Sequence, residues 1–553
     1  MEDGHRLKGN CSLDQKGERA TCKRPHAEGK KESSLARSAS KVSCAVFFSR
    51  ILGLVREQVL AGLFGAGTQM DAFVVAFRIP NLLRDLFAEG ALSSAFVTVF
   101  TEFDEKRSKA ETLHLVTSVL TVLTVIVSTI VLLGILFSKE LVLLMAPEFQ
   151  QIAGKVELTT VMTQIMFPFL LAISTASVFM GILNARSYFF LPAFASAMFN
   201  LSSILVGGGL AIYLPRHGID GIIGMAIGTL IGGIAQMAIQ LPPLVKIFRP
   251  SLKDSSISIL RPVLFHPGVK KILKLMIPAI IGLSATQLNI FINTNFASRC
   301  AEGSVAWLNY AFRLILFPIG VFGVAVSIAA MPRFAKGAAR TDLKVLGDIL
   351  VSSLTLSMAL TIPASIGLWV LGEPIVRLIF ERGQFRPFDT LMTVQALRLY
   401  AIGLFAYSSV KIVVPAFYAL NDTKWPVTGS FMAVVLNVII ILATLSSMQH
   451  RAIALSTSIT MIVNFAFLTV ILYRKIGGFP LRNLFVEGFK ILFASLLMGF
   501  AVSRLSFFID PDNGTLVYAL EILAVIIVGA FIYFISAYLL RIRSIRMLTA
   551  RLF

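Results

Sequence analysis

"DAFVVAFRIPNLLRDLFAEGALSSAFV" occupies residues 71–97. It is apolar over most of its length and long enough to cross a bilayer, yet it holds Asp71, Arg78, Arg84, Asp85 and Glu89. A charged side chain at the centre of a membrane helix costs about 2.5–3.5 kcal/mol on insertion scales, so such groups face a bundle interior or a water-filled cavity. The stretch also has a copy. "DAFVVAFRI" at 71–79 matches "AWLNYAFRL" at 306–314, 235 residues on, which makes Arg313 the repeat partner of Arg78. Shifted by the same distance, the third to sixth apolar runs fall on the ninth to twelfth, and Pro192 falls beside Pro426. The core therefore reads as two six-helix lobes. Six is even, so the repeats are parallel and related by an axis along the membrane normal; transporters of that build hold substrate at the lobe interface near the midplane.

The rest of the chain fits this frame. Of 553 residues, 56% are hydrophobic and only 14% charged, with mean hydropathy +0.81, against about 25% charged in a soluble domain. Spans of about 20 residues are expected near 42–64, 70–100, 112–137, 156–183, 189–212, 219–245, 271–297, 304–332, 347–372, 389–419, 425–446, 452–473, 486–506 and 515–540. The fold class is an all-α polytopic membrane protein of fourteen helices. Its divisions are a disordered basic cytoplasmic tail (1–34), an N-terminal lobe (35–250), a C-terminal lobe (251–480), and two further helices with a basic cytoplasmic tail (481–553). Alternate loops hold more than twice as many Lys and Arg as the others, which places both termini in the cytoplasm. The net charge of +20 belongs to those loops and does not indicate nucleic acid. Cys11, Cys22, Cys44 and Cys300 show no paired spacing, so neither a zinc site nor a disulfide framework is indicated.

The charges inside the spans cluster. The first span carries Arg50, Arg56 and Glu57, the second carries the five named above, and the eighth carries Arg313. Asp71, Arg78 and Asp85 are spaced by seven, about two helical turns, which predicts a shared face. Asp85 and Glu89 are i,i+4 neighbours. Pro80 is expected to bend the second span and Gly90 to loosen it. Internal salt bridges absorb some of these groups, but five arginines face four acids. A cationic centre needs an anionic visitor. The planar guanidinium suits phosphate oxygens and stays charged at any relevant pH, so the expected substrate is an anion bearing phosphate.

"SRILGLVREQVLAGLFGAG" (49–67) followed by 71–97, with "FPFLLAISTASVFMGILNA" (167–185), "GSVAWLNYAFRLILFPIGVFGVAVSIAAMP" (303–332) and "VKIVVPAFYALNDTKWPV" (410–427), resembles the MurJ (MviN) family of lipid II flippases. That family lies within the multidrug/oligosaccharidyl-lipid/polysaccharide exporter superfamily, and the likeness runs from about residue 35 to the C-terminus. The resemblance implies two six-helix lobes, with helices 13 and 14 holding the polyprenyl tail. It implies a bacterial inner-membrane flippase that carries undecaprenyl-diphospho-MurNAc(pentapeptide)-GlcNAc to the outer leaflet by alternating access. Membrane potential would drive it without ATP, and no G-x-x-x-x-G-K-[ST] loop is present. The family's arginine triad, the diphosphate clamp, falls on Arg56, Arg84 and Arg313. Arg50, Glu57, Asp71 and Glu89 match further functional positions, with Arg78 and Asp85 supporting the cavity.

Two positions depart from the family pattern. Phe312 stands where several members have Asp, and Asp85 stands where some have Arg or Lys. A sodium site on the C-terminal lobe does not carry over, since Gln287, Asn289 and Asn293 of the seventh span and Asn437 of the eleventh include no acid. The resemblance therefore implies no cofactor and leaves any coupling ion without a site. Expected partners are lipid II, membrane lipids and cell-wall synthesis proteins, with the chain monomeric. A flippase for another polyprenyl-diphosphate glycan remains the near alternative. A drug/cation antiporter conflicts with the arginine excess. A membrane glycosyltransferase would want an acid or His in a sizeable outer loop, whereas 138–155 and 373–389 have no His and "ERGQF" (381–385) reads as a helix connection.

Overall fold

The computed structural model describes residues 27–253, 266–339, 342–543, 545 and 546. Of the tail expected at 1–34, residues 1–26 lie outside this description, and from Ala27 the chain is already helical. The first helix thus begins inside the segment read as tail. Among the described residues, fourteen long helices run in order. The N-terminal six are α1 (Ala27–Phe64), α2 (Thr68–Lys106), α3 (Lys109–Leu136), α4 (Lys155–Ala185), α5 (Phe190–His217) and α6 (Gly221–Arg249). The remainder are α7 (Pro267–Ser298), α8 (Ser304–Ala339), α9 (Leu343–Val370), α10 (Pro387–Ala419), α11 (Lys424–Met448), α12 (His450–Lys475), α13 (Leu481–Phe508) and α14 (Thr515–Leu539). In hydrocarbon every backbone polar group needs an internal partner, which is why apolar runs of this length become helices.

Each expected span lies on one of these helices. The number that qualify as spans is thirteen among the described residues, however, and α1 is the exception. Arg50, Arg56 and Glu57 fall inside its apolar stretch and dilute it below the hydropathy of a simple membrane crossing. Boundaries follow local chemistry. Ser108 accepts from Glu111 N–H at 3.2 Å and Asp342 from Val345 N–H at 3.1 Å, capping α3 and α9. Proline opens α7 and α10 at the first helical position.

The repeat extends beyond the spans. A short helix, Ser138–Met145, follows α3, and Gly372–Phe380 follows α9 about 235 residues later. Both α2 and α8 carry a π-helical turn, at Asp85–Leu92 and Ile319–Gly323. In α2 the turn begins five residues after Pro80, and in α8 it directly follows Pro318. Gly90 lies where α7 crosses α2, since a Cβ there would fall 2.2 Å from Leu283 Cδ1.

α1–α6 pack mainly on one another, as do α8–α12, while α7 packs more on α2 than on its own lobe, α13 packs on α9 and α14 on α13. Polar bonds fasten these contacts. Asn200 Nδ2 of α5 donates to Ser49 O of α1 at 3.1 Å, Ser458 Oγ of α12 to Leu399 O of α10 at 2.6 Å, and Tyr533 OH of α14 to Ala359 O of α9 at 2.6 Å. α5 meets α6 backbone to backbone, with an ideal Cβ on Gly228 landing 2.5 Å from Gly207 Cα. Large apolar side chains such as Phe485, Phe531 and Leu442 remain exposed on the outer faces, as a lipid-facing surface requires.

Candidate functional site

Between the lobes lies a chamber of about 1120 Å³, lined at one end by Arg50, Arg56, Glu57, Asn81, Arg84 and Arg313. α1 supplies the first three, α2 the next two and α8 the last. Glu57 sits between two of the arginines: Arg56 Nη2 is 2.8 Å and Arg313 Nε 3.4 Å from its Oε1. The Arg56 guanidinium also covers the Phe199 ring, 5.3 Å from its centroid. Arg84 directs Nε and Nη2 to Asp85 Oδ1, at 3.0 and 2.8 Å. Arg50 lies on the π-turn of α8, so close to Gly320 that a Cβ there would sit 2.1 Å from its Nη1. Arg56 Nε, Glu57 Oε2 and Asn81 Oδ1 are buried without a hydrogen-bond partner, so this end is only partly satisfied by the protein itself.

Away from the arginines the chamber becomes apolar. Pro363 and Ala364 of α9, Met498 and Val502 of α13, and Gly529 and Tyr533 of α14 line it. One continuous space therefore offers cations at one end and a hydrocarbon-like wall, formed partly by the two added helices, at the other. Asn81 and Lys411 line it as well; neither stood out in the sequence.

The residues of the expected shared face of α2 meet different partners. Arg78 Nη1 donates to Thr294 Oγ1 of α7 and is not among the lining residues. Asp85 turns to Arg84. Asp71 lies at the α2 N-terminus, where the lobes meet. The side chain of Glu89 lies outside the described residues. Asp71, Arg78 and Asp85 all precede or open the π-turn, and the two helical turns between successive members set each beside a different neighbour.

At the end of the molecule bearing Asp71 the lobes are closed. Asp71 Oδ2 accepts from Lys155 Nζ at 3.0 Å and Gly303 N–H at 2.9 Å, and Oδ1 from Ala306 N–H at 2.9 Å. The repeat returns the bond: Glu302 Oε1 accepts from Thr68 N–H at 2.9 Å and from the Thr68 hydroxyl. Each lobe thus caps the second helix of the other. Tyr310 OH donates to Gly65 O and Gln384 N–H to Gly62 O, both at 3.0 Å. Gly383 (φ +58°) comes so near that a Cβ would lie 2.1 Å from Gly62 O. "ERGQF" is therefore a connection folded into this closure. A smaller polar cavity of about 410 Å³ adjoins it, lined by Asp71, Glu148, Lys155, Arg299 and Glu302 among others.

Phe312, one of the departures, packs against Tyr400 and Tyr407 with ring centroids 5.3 and 6.1 Å away, leaving Glu57 as the carboxylate paired with Arg313. In the C-terminal lobe Asn437 Nδ2 donates to Asn293 Oδ1 at 2.7 Å, and Asn293 Nδ2 to Thr457 Oγ1 at 3.3 Å. Among the described residues no cluster of three or more His, Cys, Asp or Glu could hold a metal.

The family model described as lipid II flippase MurJ matches residues 60–524. The chain belongs to the MurJ family. Relatives in that family include a probable lipid II flippase MurJ of Buchnera aphidicola subsp. Acyrthosiphon pisum, 36% identical over 469 residues, covering 84% of this chain and 89% of the relative. The lipid II flippase MurJ of Burkholderia cenocepacia is 36% identical over 395 residues, covering 71% and 75%. A solved structure titled "Lipid II flippase MurJ, inward closed conformation" superposes with TM-score 0.73 and 28% identity, covering 90% of this chain and 99% of that one. An inward-facing multidrug resistance MATE family transporter of the MOP superfamily shares the fold at TM-score 0.62 and 14% identity, covering 78% and 94%. The chain is thus a multi-pass membrane protein with the two-lobed architecture of the MurJ family.

Proposed function

We propose that this chain is a lipid II flippase, moving the undecaprenyl-diphosphate-linked peptidoglycan precursor from the inner to the outer leaflet of the bacterial cytoplasmic membrane. One observation carries the reading: four arginines from α1, α2 and α8 line one end of a chamber whose other end is apolar and reaches α13 and α14. That gradient matches a ligand with a diphosphate head and a polyprenyl tail. Arg56, Arg84 and Arg313 clamp the diphosphate through charge-assisted bonds, Arg50 guides it at the chamber mouth, and the tail runs along α13 and α14 in contact with lipid. Glu57 takes over pairing with Arg56 and Arg313 when the phosphate leaves. The basic loops and both termini face the cytoplasm in this reading, so the closed end at Asp71 is the outer gate.

The cycle is alternating access. Loading of the chamber favours closure on the cytoplasmic side, and the lobes then rock to open the Asp71 end. With the inside negative, outward transfer of an anion is downhill by about 2.3 kcal/mol per charge per 100 mV. A diphosphate with peptide carboxylates carries several charges, so the potential drives export and no nucleotide hydrolysis is involved.

The test uses purified protein in liposomes, labelled lipid II and an imposed potential, with protection of the label from an external reagent as readout. Transport should rise when the destination side is positive and fall when the potential is reversed. A rate indifferent to Arg56→Ala, Arg84→Ala and Arg313→Ala would remove the clamp from the account.

A further inference from the structure

The closed end contains a cation that the chamber does not use. Lys155, in the first turn of α4, is 2% exposed, with Nζ 3.0 Å from Asp71 Oδ2 and 4.2 Å from the centroid of the Phe149 ring. A buried lysine is costly unless its partner geometry is good. We propose that Lys155 is a positioning residue of the gate: it holds the Asp71 carboxylate charged and oriented so that α8 latches onto it. The proposal rests on the reading of the Asp71 end as a gate of the transport cycle.

The geometry separates two kinds of bond. Asp71 and Lys155 belong to the same lobe, so their pair stays together when the lobes part. The N–H groups of Gly303 and Ala306 belong to the other lobe and leave with α8. Opening the gate then breaks two charge-assisted hydrogen bonds but strands no charge, because Lys155 stays with the carboxylate. Without Lys155 the same carboxylate would be buried uncompensated in the closed state, and closure itself would become unfavourable. The opposite latch needs no such device. Glu302 and Thr68 form it at an exposed position, where water screens the charge. Of the two reciprocal caps, only the dry one carries a lysine.

The experiment measures the distance across the closed end by double electron–electron resonance in nanodiscs. Spin labels go on cysteines at the exposed positions Ile219 and Phe388, one in each lobe, with Cys11, Cys22, Cys44 and Cys300 replaced. Lys155→Met should raise the open-to-closed ratio by roughly tenfold or more, given the cost of leaving one buried ion unpaired. Lys155→Arg should keep the closed distribution. Asp71→Asn combined with Lys155→Met should return part of the closed population, since no charge is then buried. An unchanged distribution in monodisperse Lys155→Met protein would overturn the proposal, as would Lys155→Arg opening the gate as fully as Met. If Lys155→Met does not fold, Lys155→Arg and the double variant decide by the same criteria. The distance readout needs no substrate, so failure of lipid II transport in the unaltered protein would sink the functional reading and leave this measurement standing.

Discussion

Arg56, Arg84 and Arg313 each have a carboxylate at or beside the guanidinium, and in the proposed clamp that arrangement separates staying in a membrane from binding. The carboxylates lower the cost of burying the cations, and some hydrogen-bond capacity, Arg56 Nε among it, is left unfilled by the protein. Charge alone is not the requirement, because a lysine cannot form the two-pronged bond to phosphate oxygens. Arg→Lys at 56, 84 or 313 is therefore expected to cut lipid II transport by roughly tenfold, and Arg→Ala by roughly a hundredfold, as the loss of one or more charge-assisted bonds of about 1.5–3 kcal/mol predicts. Liposome transport rates separate the two, and equal rates for Lys and Arg would reduce the clamp to a general positive field. The arginines were legible because a charge in an apolar run has no bland place to be. Asn81 was not, since one polar residue in a helix reads the same whether it faces a chamber or a neighbour, and Lys411, a charge inside the expected tenth span, was missed because it stands apart from the arginine cluster. Arg78 misled for a related reason: the repeat equates it with Arg313, but each lobe surrounds its copy differently, and Arg78 meets Thr294.

At the level of elements, most helices could be read from apolar length to within a few residues, the early start of α1 at Ala27 being the main miss, while their irregularities could not. π-turns leave no mark in hydropathy, yet those of α2 and α8 border the arginines they help to place. The start of α7 offers a sharper case. His266 caps it, its Nδ1 accepting from Gly268 N–H at 3.1 Å, with His114 of α3 edge-on to the ring at 5.2 Å. Burial, then the neighbouring His114, hold the His266 imidazole below its ordinary 6.5. Protonation would also put a hydrogen on the nitrogen that does the capping. A histidine whose folded value is depressed favours the folded state at no pH; it leaves stability untouched above about 7 and subtracts from it as pH falls through 6.5 toward the depressed value. Protection of the amides in the first turn of α7, corrected for the intrinsic slowing of exchange with falling pH, should thus decrease between pH 7 and 5, and His266→Asn, which caps without titrating, should flatten that dependence. Protection that is flat with pH in the unaltered chain would show that the cap does not open this end. Packing between elements makes its own prediction. Gly228→Leu has no room against Gly207 and should lower the melting temperature by several degrees, as overpacking by about 1–3 kcal/mol would, whereas Gly209→Ala, with open space around it, should not.

For the whole molecule the decisive feature is that its two ends are fastened unequally. At the Asp71 end the lobes share buried carboxylate caps, backbone-to-backbone bonds and one apolar cluster that includes Phe149, Trp307, Tyr310, Phe380 and Phe385. Toward the other end, Lys271 of α7 meets Glu102 of α2 at 2.5 Å with both side chains well exposed, a contact worth at most about 1 kcal/mol. The repeat in the sequence announced two lobes, but not which end would be shut, because the closure involves backbone at Gly62 in the last turn of α1 and at Gly65 and Gly383 beyond helix ends, where hydropathy is silent. If transport requires this tight end to open once per cycle, covalent closure must stop it. A cysteine pair replacing Gly62 and Gln384, whose backbones are already hydrogen-bonded at 3.0 Å, should form a disulfide under oxidation. Lipid II transport in liposomes should then fall to background and return on adding reductant. A pair placed at Glu102 and Lys271 tests the opposite end in the same way. Transport that continues with the Gly62–Gln384 bridge intact would mean the lipid leaves without opening the lobes at Asp71, and rocking of the two halves would have to be abandoned.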